Sequence, residues 1–157
     1  MLIANGLLCK SQILVGANAM IFRYTILYVT DVAATLAFHE RAFGFERLFL
    51  HEAGDYGELD TGGTKLAFAS RALIAQLGKS PASPDAKAPV FELAFETGDV
   101  PAALTRAISA GATLVQDARK EPWGQTTAYV TDPDGFLIEI CSPVALPAEP
   151  SADASDA

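Results

Sequence analysis

Residues 128–140 read Ala-Tyr-Val-Thr-Asp-Pro-Asp-Gly-Phe-Leu-Ile-Glu-Ile. The pattern is strand, tight turn, strand. Asp132 opens the turn, Pro133 presets φ at its second position, and Gly135 can take φ > 0 where the chain enters the next strand. A short hairpin loop containing Gly is the expected geometry. After the turn, Phe136, Ile138 and Ile140 alternate with Leu137, Glu139 and Cys141. Period two puts the first trio on one face of the strand and Glu139 on the other. A carboxylate in the middle of an otherwise apolar strand needs a reason, because an unpaired charge is costly to bury.

Upstream of this hairpin the spacing predicts a strand over Val90–Glu96. A helix follows, capped by Asp99, with Pro101 in its first turn, Leu104 and Ile108 on its buried side and Gly111 at its end. Strands over Thr113–Gln116 and Gln125–Thr131 lead into the hairpin. The first half of the chain has the same order. Phe22–Val29 is a strand, Asp31 caps a helix over Val32–Phe43, and Gly44 ends it. Three strands follow at Phe45–His51, Tyr56–Asp60 and Lys65–Ala69, with turns at Gly54 and Gly62-Gly63. The glycine pair is a hairpin turn rather than a phosphate loop, since no helix start follows it.

The halves echo one another in residues too. Thr30-Asp31-Val32-Ala33-Ala34-Thr35-Leu36 lies over Gly98-Asp99-Val100-Pro101-Ala102-Ala103-Leu104, an offset of 68 residues, and Tyr56-Gly57-Glu58 echoes Trp123-Gly124-Gln125. Each half is therefore β-α-β-β-β, and the expected fold is α+β: two tandem βαβββ modules forming a cupped, half-barrel sheet. One helix covers one face of each sheet and leaves the other as an open concave surface. Two halves facing each other make a cup, within one chain or across a dimer. The boundaries read as an N-terminal extension over 1–19, a first module over 20–71, a linker over 72–89, a second module over 90–143 and a disordered tail over 144–157. The linker has a helical turn at Ala72–Leu77 and is punctuated by Pro81, Pro84 and Pro89. Pro143 to Ala157 is rich in Pro, Ala, Ser and Asp.

Composition narrows the function class. The chain has 157 residues, 50% hydrophobic, with a net charge of −8, which suits one domain with a real core and argues against nucleic acid and anionic membrane surfaces. Cys9 and Cys141 are far apart and form neither a disulfide framework nor a metal-ligand spacing, so a reducing cytoplasm is expected. No run approaches the length of a membrane-spanning helix. The first 19 residues lack the basic start of a signal peptide, and Met20 reads as the natural start of the domain.

The chain resembles the vicinal oxygen chelate superfamily, which holds glyoxalase I, bleomycin-resistance proteins, fosfomycin-resistance enzymes and extradiol dioxygenases. The likeness covers about Ile21–Ser142. It rests on the Asp31 and Asp99 helix starts, Phe38-His39 before Gly44-Phe45, Pro122-Trp123-Gly124-Gln125, and Asp132-Pro133-Asp134-Gly135 leading into Ile138-Glu139-Ile140. Enzymes of this family hold a divalent metal with ligands from the first and last strands of each module. The resemblance places those four positions on Tyr24, Ala67, Glu92 and Glu139. Alanine has no donor and tyrosine is a poor ligand for a borderline metal. The two histidines, His39 and His51, match no ligand position. The expectation is therefore no cofactor, a divalent metal remaining an option with an incomplete ligand set.

Candidate site residues follow. Glu92 and Glu139 are expected in the same cup, where two close carboxylates cannot both ionise without a counter-charge. A cationic ligand, a shared proton or a bound cation would resolve this, as would a Lys or Arg of the chain, or water. Phe22, Tyr24 and Tyr28 face the cup by alternation. Tyr24 and Tyr28 would stack on a flat ligand or else fill a dimer interface. Ala67 lines the same surface. The resemblance places Trp123 at the pocket rim, against plain loop packing, and Gln125 would present an amide to a ligand. His39 is expected half-buried and structural, His51 at the surface, and Cys141 a small buried residue. The leading function is binding or sequestration of a small aromatic or cationic molecule by a homodimer without metal. The alternative is a glyoxalase-type lyase or isomerase with Glu139 or Glu92 as general base. A structural partner domain without ligand is the third reading.

Overall fold

The computed structural model describes residues 20–144. The element order is β1 (Tyr24–Val29), α1 (Val32–Phe43), β2 (Glu46–Leu50), β3 (Tyr56–Asp60), β4 (Lys65–Ser70), α2 (Arg71–Gln76), β5 (Glu92–Glu96), α3 (Val100–Ala110), β6 (Thr113–Lys120), β7 (Thr126–Thr131) and β8 (Leu137–Cys141). The strands form two four-stranded sheets, β1-β4-β3-β2 and β5-β8-β7-β6. In each, the first strand runs parallel to the last strand of its module and the remaining pairs are antiparallel. This is the α+β, two-module architecture read from the sequence. The N-terminal extension and the residues after 144 lie outside the described residues.

Both main helices start as their sequences dictate. Asp31 accepts a hydrogen bond from the Ala34 amide at 2.9 Å, and Asp99 accepts one from the Ala102 amide at 3.0 Å. Gly44 and Gly111 take left-handed φ values of 76° and 114° at the two C-termini. Leu27, Val29, Val32, Leu36, Leu59, Leu66 and Phe68 form one core under α1. Val100, Leu104, Ala107, Ala128, Val130, Ile138 and Ile140 form another under α3, joined by Phe38 and Ala42 from α1. The helices thus pack on each other as well as on their own sheets. Gly57 in β3 allows α1 its close approach: a Cβ there would stand 2.7 Å from Leu36 Cδ1.

Some local expectations are corrected. Ile108 is 42% exposed; the buried stripe of α3 runs through Val100, Ala103, Leu104 and Ala107 instead. β6 extends to Lys120, with irregular register after Leu114 and again after Gln116. The proposed echo of Tyr56-Gly57-Glu58 in Trp123-Gly124-Gln125 is not structural. Tyr56 and Glu58 lie within β3, whereas Trp123 and Gly124 sit in the turn before β7. Strand register pairs Glu58 with Ala67 and Tyr129 with Glu139, so Tyr129 is the true counterpart of Glu58.

The turn at Asp132-Pro133-Asp134-Gly135 joins the modules. Asp132 Oδ1 accepts from the Gly135 and Phe136 amides, each at 2.8 Å, which closes the turn on itself. Asp134 then reaches the start of α1, accepting from the Thr35 hydroxyl at 2.7 Å and the Thr30 amide at 3.2 Å. A carboxylate at a helix N-terminus gains from the helix dipole as well as from the bonds. One turn below, His39 is fully buried rather than half-buried. Its Nδ1 lies 3.0 Å from the Thr35 carbonyl, so Nδ1 carries the proton and donates. Burial holds the imidazole down to about pKa 4.

Candidate functional site: two open sheet faces

Each sheet turns one face to its helix and leaves the other open. On the first sheet the open face carries Tyr24, Ile26 and Tyr28 from β1, Lys65 and Ala67 from β4, Tyr56 and Glu58 from β3, and Phe49 from β2. This follows from strand alternation and the pairings Tyr24–Lys65, Ile26–Ala67, Glu58–Ala67 and Phe49–Glu58. Glu58 is the hub. It accepts from Lys65 Nζ at 2.8 Å and from the Tyr56 hydroxyl at 3.1 Å. The hydrogen bond to Glu58 raises the Lys65 pKa, while burial and the Glu58 charge push the Tyr56 hydroxyl up to about 12. The Lys65 ammonium also sits 5.5 Å from the centroid of the Tyr24 ring. Charge on this face is balanced by residues of the chain itself.

The open face of the second sheet carries Glu92, Ala94 and Glu96 from β5, Leu137, Glu139 and Cys141 from β8, and Thr127, Tyr129 and Thr131 from β7. Glu139 lies in the central strand between Ala94 and Tyr129, and Glu92 is diagonal to it, opposite Leu137. Glu92 is exposed and Glu139 half-buried. Burial, then the Glu139 charge, raises the pKa of Glu92. Burial and the same two acids push the Tyr129 hydroxyl up to about 12. Cys141 is a buried thiol on this face, raised by burial and then by Glu139. Among the described residues, no Lys or Arg forms an ion pair with Glu92 or Glu139; Arg119, whose strand partner Thr127 lies on this face, is committed to Glu121 at 2.8 Å. Glu121 in turn accepts from the buried Thr127 hydroxyl at 2.7 Å.

The other residues singled out from the sequence fall as follows. Tyr24 and Tyr28 lie on the first open face with Ala67, which is fully buried beneath its neighbours. Trp123 is 63% exposed and donates its indole N–H to Gln125 Oε1 at 2.8 Å. The Gln125 amide nitrogen donates to the Ser142 carbonyl at 2.8 Å, so this amide braces the loop against the end of β8. His51 stays at the surface, Nδ1 3.0 Å from Asp55.

The four family ligand positions therefore fall in two pairs, Tyr24 with Ala67 on one sheet and Glu92 with Glu139 on the other. A metal ion does not fit the first pair. Ala67 offers only a methyl group, and the Lys65 ammonium over Tyr24 puts positive charge where a cation would bind. Among the described residues, no three His, Cys, Asp or Glu side chains converge as a metal site. Sequence reasoning missed Glu58, Lys65, Tyr56 and Tyr129. Alternation along β3 and β7 would have put Tyr56, Glu58 and Tyr129 on the open faces.

A family model described as Glyoxalase/Bleomycin resistance protein/Dioxygenase superfamily matches residues 21–140. No curated protein matches the chain. Among solved structures, a glyoxalase-related enzyme from Fulvimarina pelagi superposes with a TM-score of 0.70 at 23% identity, covering 88% of this chain and all (100%) of that one. A glyoxalase/bleomycin resistance protein/dioxygenase family enzyme from Burkholderia phytofirmans PsJN gives 0.65 at 25% identity, over 79% of this chain and 98% of its own. TioX from Micromonospora sp. ML1 gives 0.60 at 25% identity, over 78% and 98%.

Proposed function

This chain belongs to the glyoxalase/bleomycin resistance protein/dioxygenase superfamily, and on that footing we propose that it binds a small aromatic or cationic molecule, without a metal, in the cytoplasm. The observation that carries the reading is the Glu92–Glu139–Tyr129 cluster: two carboxylates on one open face with, among the described residues, no cation paired to them. A cationic ligand relieves their repulsion, and aromatic rings supply stacking surface. The first face offers such rings at Tyr24 and Phe49, and Tyr24, Ile26 and Phe49 are 40%, 45% and 45% exposed in the single chain. Exposed apolar surface of this kind favours association. We place the cup where the first-module face of one protomer meets the second-module face of its partner in a homodimer.

The test is calorimetric titration with ethidium and with bleomycin, run beside sedimentation of the free protein. Saturable binding is expected. Glu139→Gln should weaken it about tenfold, the scale of one lost charge contact in a partly desolvated site. Ethidium and bleomycin both failing to bind, or equimolar tight uptake of nickel or zinc, would overturn the reading. The raised pKa of Glu92 beside a proton-holding Tyr129 favours one other use, proton abstraction from a carbonyl substrate by a lyase or isomerase. That reading requires solvent deuterium to enter the product of the hemithioacetal of methylglyoxal and glutathione, and Glu92→Gln to stop it.

A further inference from the structure

A cavity whose lining contains neither Glu92 nor Glu139 lies at the seam between the modules. Its volume is about 470 Å³, within the range of small-molecule sites. It arises because β1 pairs only with β4 and β5 only with β8, so the two sheets meet without hydrogen-bonding to each other. The left-handed turn at Gly44 ends α1 and directs both Phe43 and Phe45 into this seam. Phe95 of β5 packs on each of them edge to face, with centroid separations of 4.9 Å to both. Leu66, Leu93 and Ile140 complete an apolar wall, and Thr25, Thr61, Thr64 and Thr97 also line it.

Three charged residues line the cavity: Lys65, Glu96 and Arg106. They are not equivalent. Lys65 is neutralised by Glu58. Arg106 of α3 donates Nε to the Ala42 carbonyl at 2.8 Å, which ties its guanidinium to the end of α1. Among the described residues, its two terminal nitrogens have no acceptor. A guanidinium fixed by one nitrogen and free at the others suits a planar carboxylate. Glu96 makes no ion pair among the described residues and disfavours a second negative charge.

We propose that this seam is a binding site for a small apolar monocarboxylate, an aromatic or branched aliphatic acid, with its ring or chain against Phe43, Phe45 and Phe95 and its carboxylate on Arg106. The site uses one chain only; it borders the proposed cup at Lys65, Ala94 and Glu96 and differs from it in containing neither Glu92 nor Glu139.

The test is a nitrogen–proton correlation titration of the full chain with 3-phenylpropionate, and with neutral 3-phenylpropionamide as control. Binding of the acid is expected with shifts centred on Phe45, Phe95 and Arg106, and at least fivefold weaker binding of the amide. Arg106→Gln should bring the acid down to the level of the amide and leave the amide unchanged. Arg106→Lys should restore part of the difference. Thr25→Phe, which fills the cavity from β1, should abolish both. Glu139→Gln should affect neither, so a failed cup and a failed seam are told apart. Equal affinity for acid and amide, indifference to Arg106→Gln, shifts centred on Tyr129 and Glu139, or no binding at all would each overturn the proposal.

Discussion

The two modules share a backbone plan and treat charge in opposite ways. In the first, the carboxylate sits on β3 as Glu58 and is closed by Lys65 and Tyr56, all within hydrogen-bonding distance. In the second it sits one strand over, on β8 as Glu139, where strand register puts Ala67 in the first. There the second acid, Glu92, takes the position of Tyr24, the apolar Leu137 takes that of the cation Lys65, and Tyr129 takes that of Glu58. Duplicated halves that need only hold each other together could keep the same solution twice. Among the described residues one face is self-compensated and the other carries surplus negative charge, and the proposed cationic ligand rests on that difference.

The largest break in this contrast comes from forcing the first face to copy the second. Ala67→Glu would insert a carboxylate at a fully buried position directly opposite Glu58. Overpacking and like-charge repulsion add, and the expected loss is about 3 kcal/mol or more in urea unfolding. A variant that folds as stably as the parent would mean that the first face keeps room for a metal-type ligand after all.

A second contrast runs through the seam. His39 comes from the first module and has Ala107 at its repeat position; Asp132 comes from the second module, and its counterpart in the first, counted on from the matched Glu58 and Tyr129, is Thr61. Both carry a buried side-chain atom without a hydrogen-bond partner, His39 Nε2 and Asp132 Oδ2. Burial lowers His39 from 6.5 to about 4 and raises Asp132 from 3.8 to about 6. For His39 the fold requires the neutral ring, so its contribution is complete above 6.5 and lost as pH falls toward 4. For Asp132 the fold favours the proton, so its contribution is complete below 3.8 and lost as pH rises through 6. The two slopes oppose one another over the same window, each worth about 3 kcal/mol. Stability of the parent should vary little between pH 4 and 6.5. Asp132→Asn should make it rise across that range and His39→Leu should make it fall, measured as melting temperature against pH. Parallel curves for all three proteins would show that the fold shifts neither group's pKa.

Much of this was legible in the sequence, for physical reasons that also explain the failures. Helix starts and stops are local: Asp31, Asp99, Gly44 and Gly111 act within a few residues of themselves, and each was placed correctly. Period-two alternation put Tyr24, Tyr28, Glu92 and Glu139 on open faces, because it needs no knowledge of the partner strand. What failed depended on register. The likeness of Tyr56-Gly57-Glu58 to Trp123-Gly124-Gln125 is one of residue type, and only the β3–β4 and β7–β8 pairings reveal Tyr129 as the counterpart of Glu58. The Glu58–Lys65 bridge is invisible for the same cause. Ile108 was misjudged because helical spacing fits it as well as Ala107, and the close approach of α1 selects the smaller residue. His39 looked half-buried because nothing near it in sequence announces that Asp134, from the far end of the chain, docks on its helix.

The finest test asks the same substitution of both faces. Glu58→Gln keeps shape and removes the charge that Lys65 and Tyr56 are bonded to. Because Lys65 is 38% exposed at its side chain, solvent screens much of the pair. The expected cost is about 1 kcal/mol. Glu139→Gln removes a charge whose neighbour is another acid. Burial alone would then hold Glu92 up, so its carboxyl titration, followed by carbon NMR, should move down toward the ordinary range. A raised carboxylate pKa means that the fold prefers the proton, a contribution present below the ordinary pKa and lost as pH rises through the shifted one. Relieving part of that shift should therefore stabilise the free protein at neutral pH, by no more than a few tenths of a kcal/mol given how open Glu92 is. Opposite signs for one chemical change at two related positions would mark the second face as the one with unmet charge. If Glu139→Gln instead destabilises as Glu58→Gln does, a cation from the partner protomer or from solution already sits on that face, and the ligand must displace it.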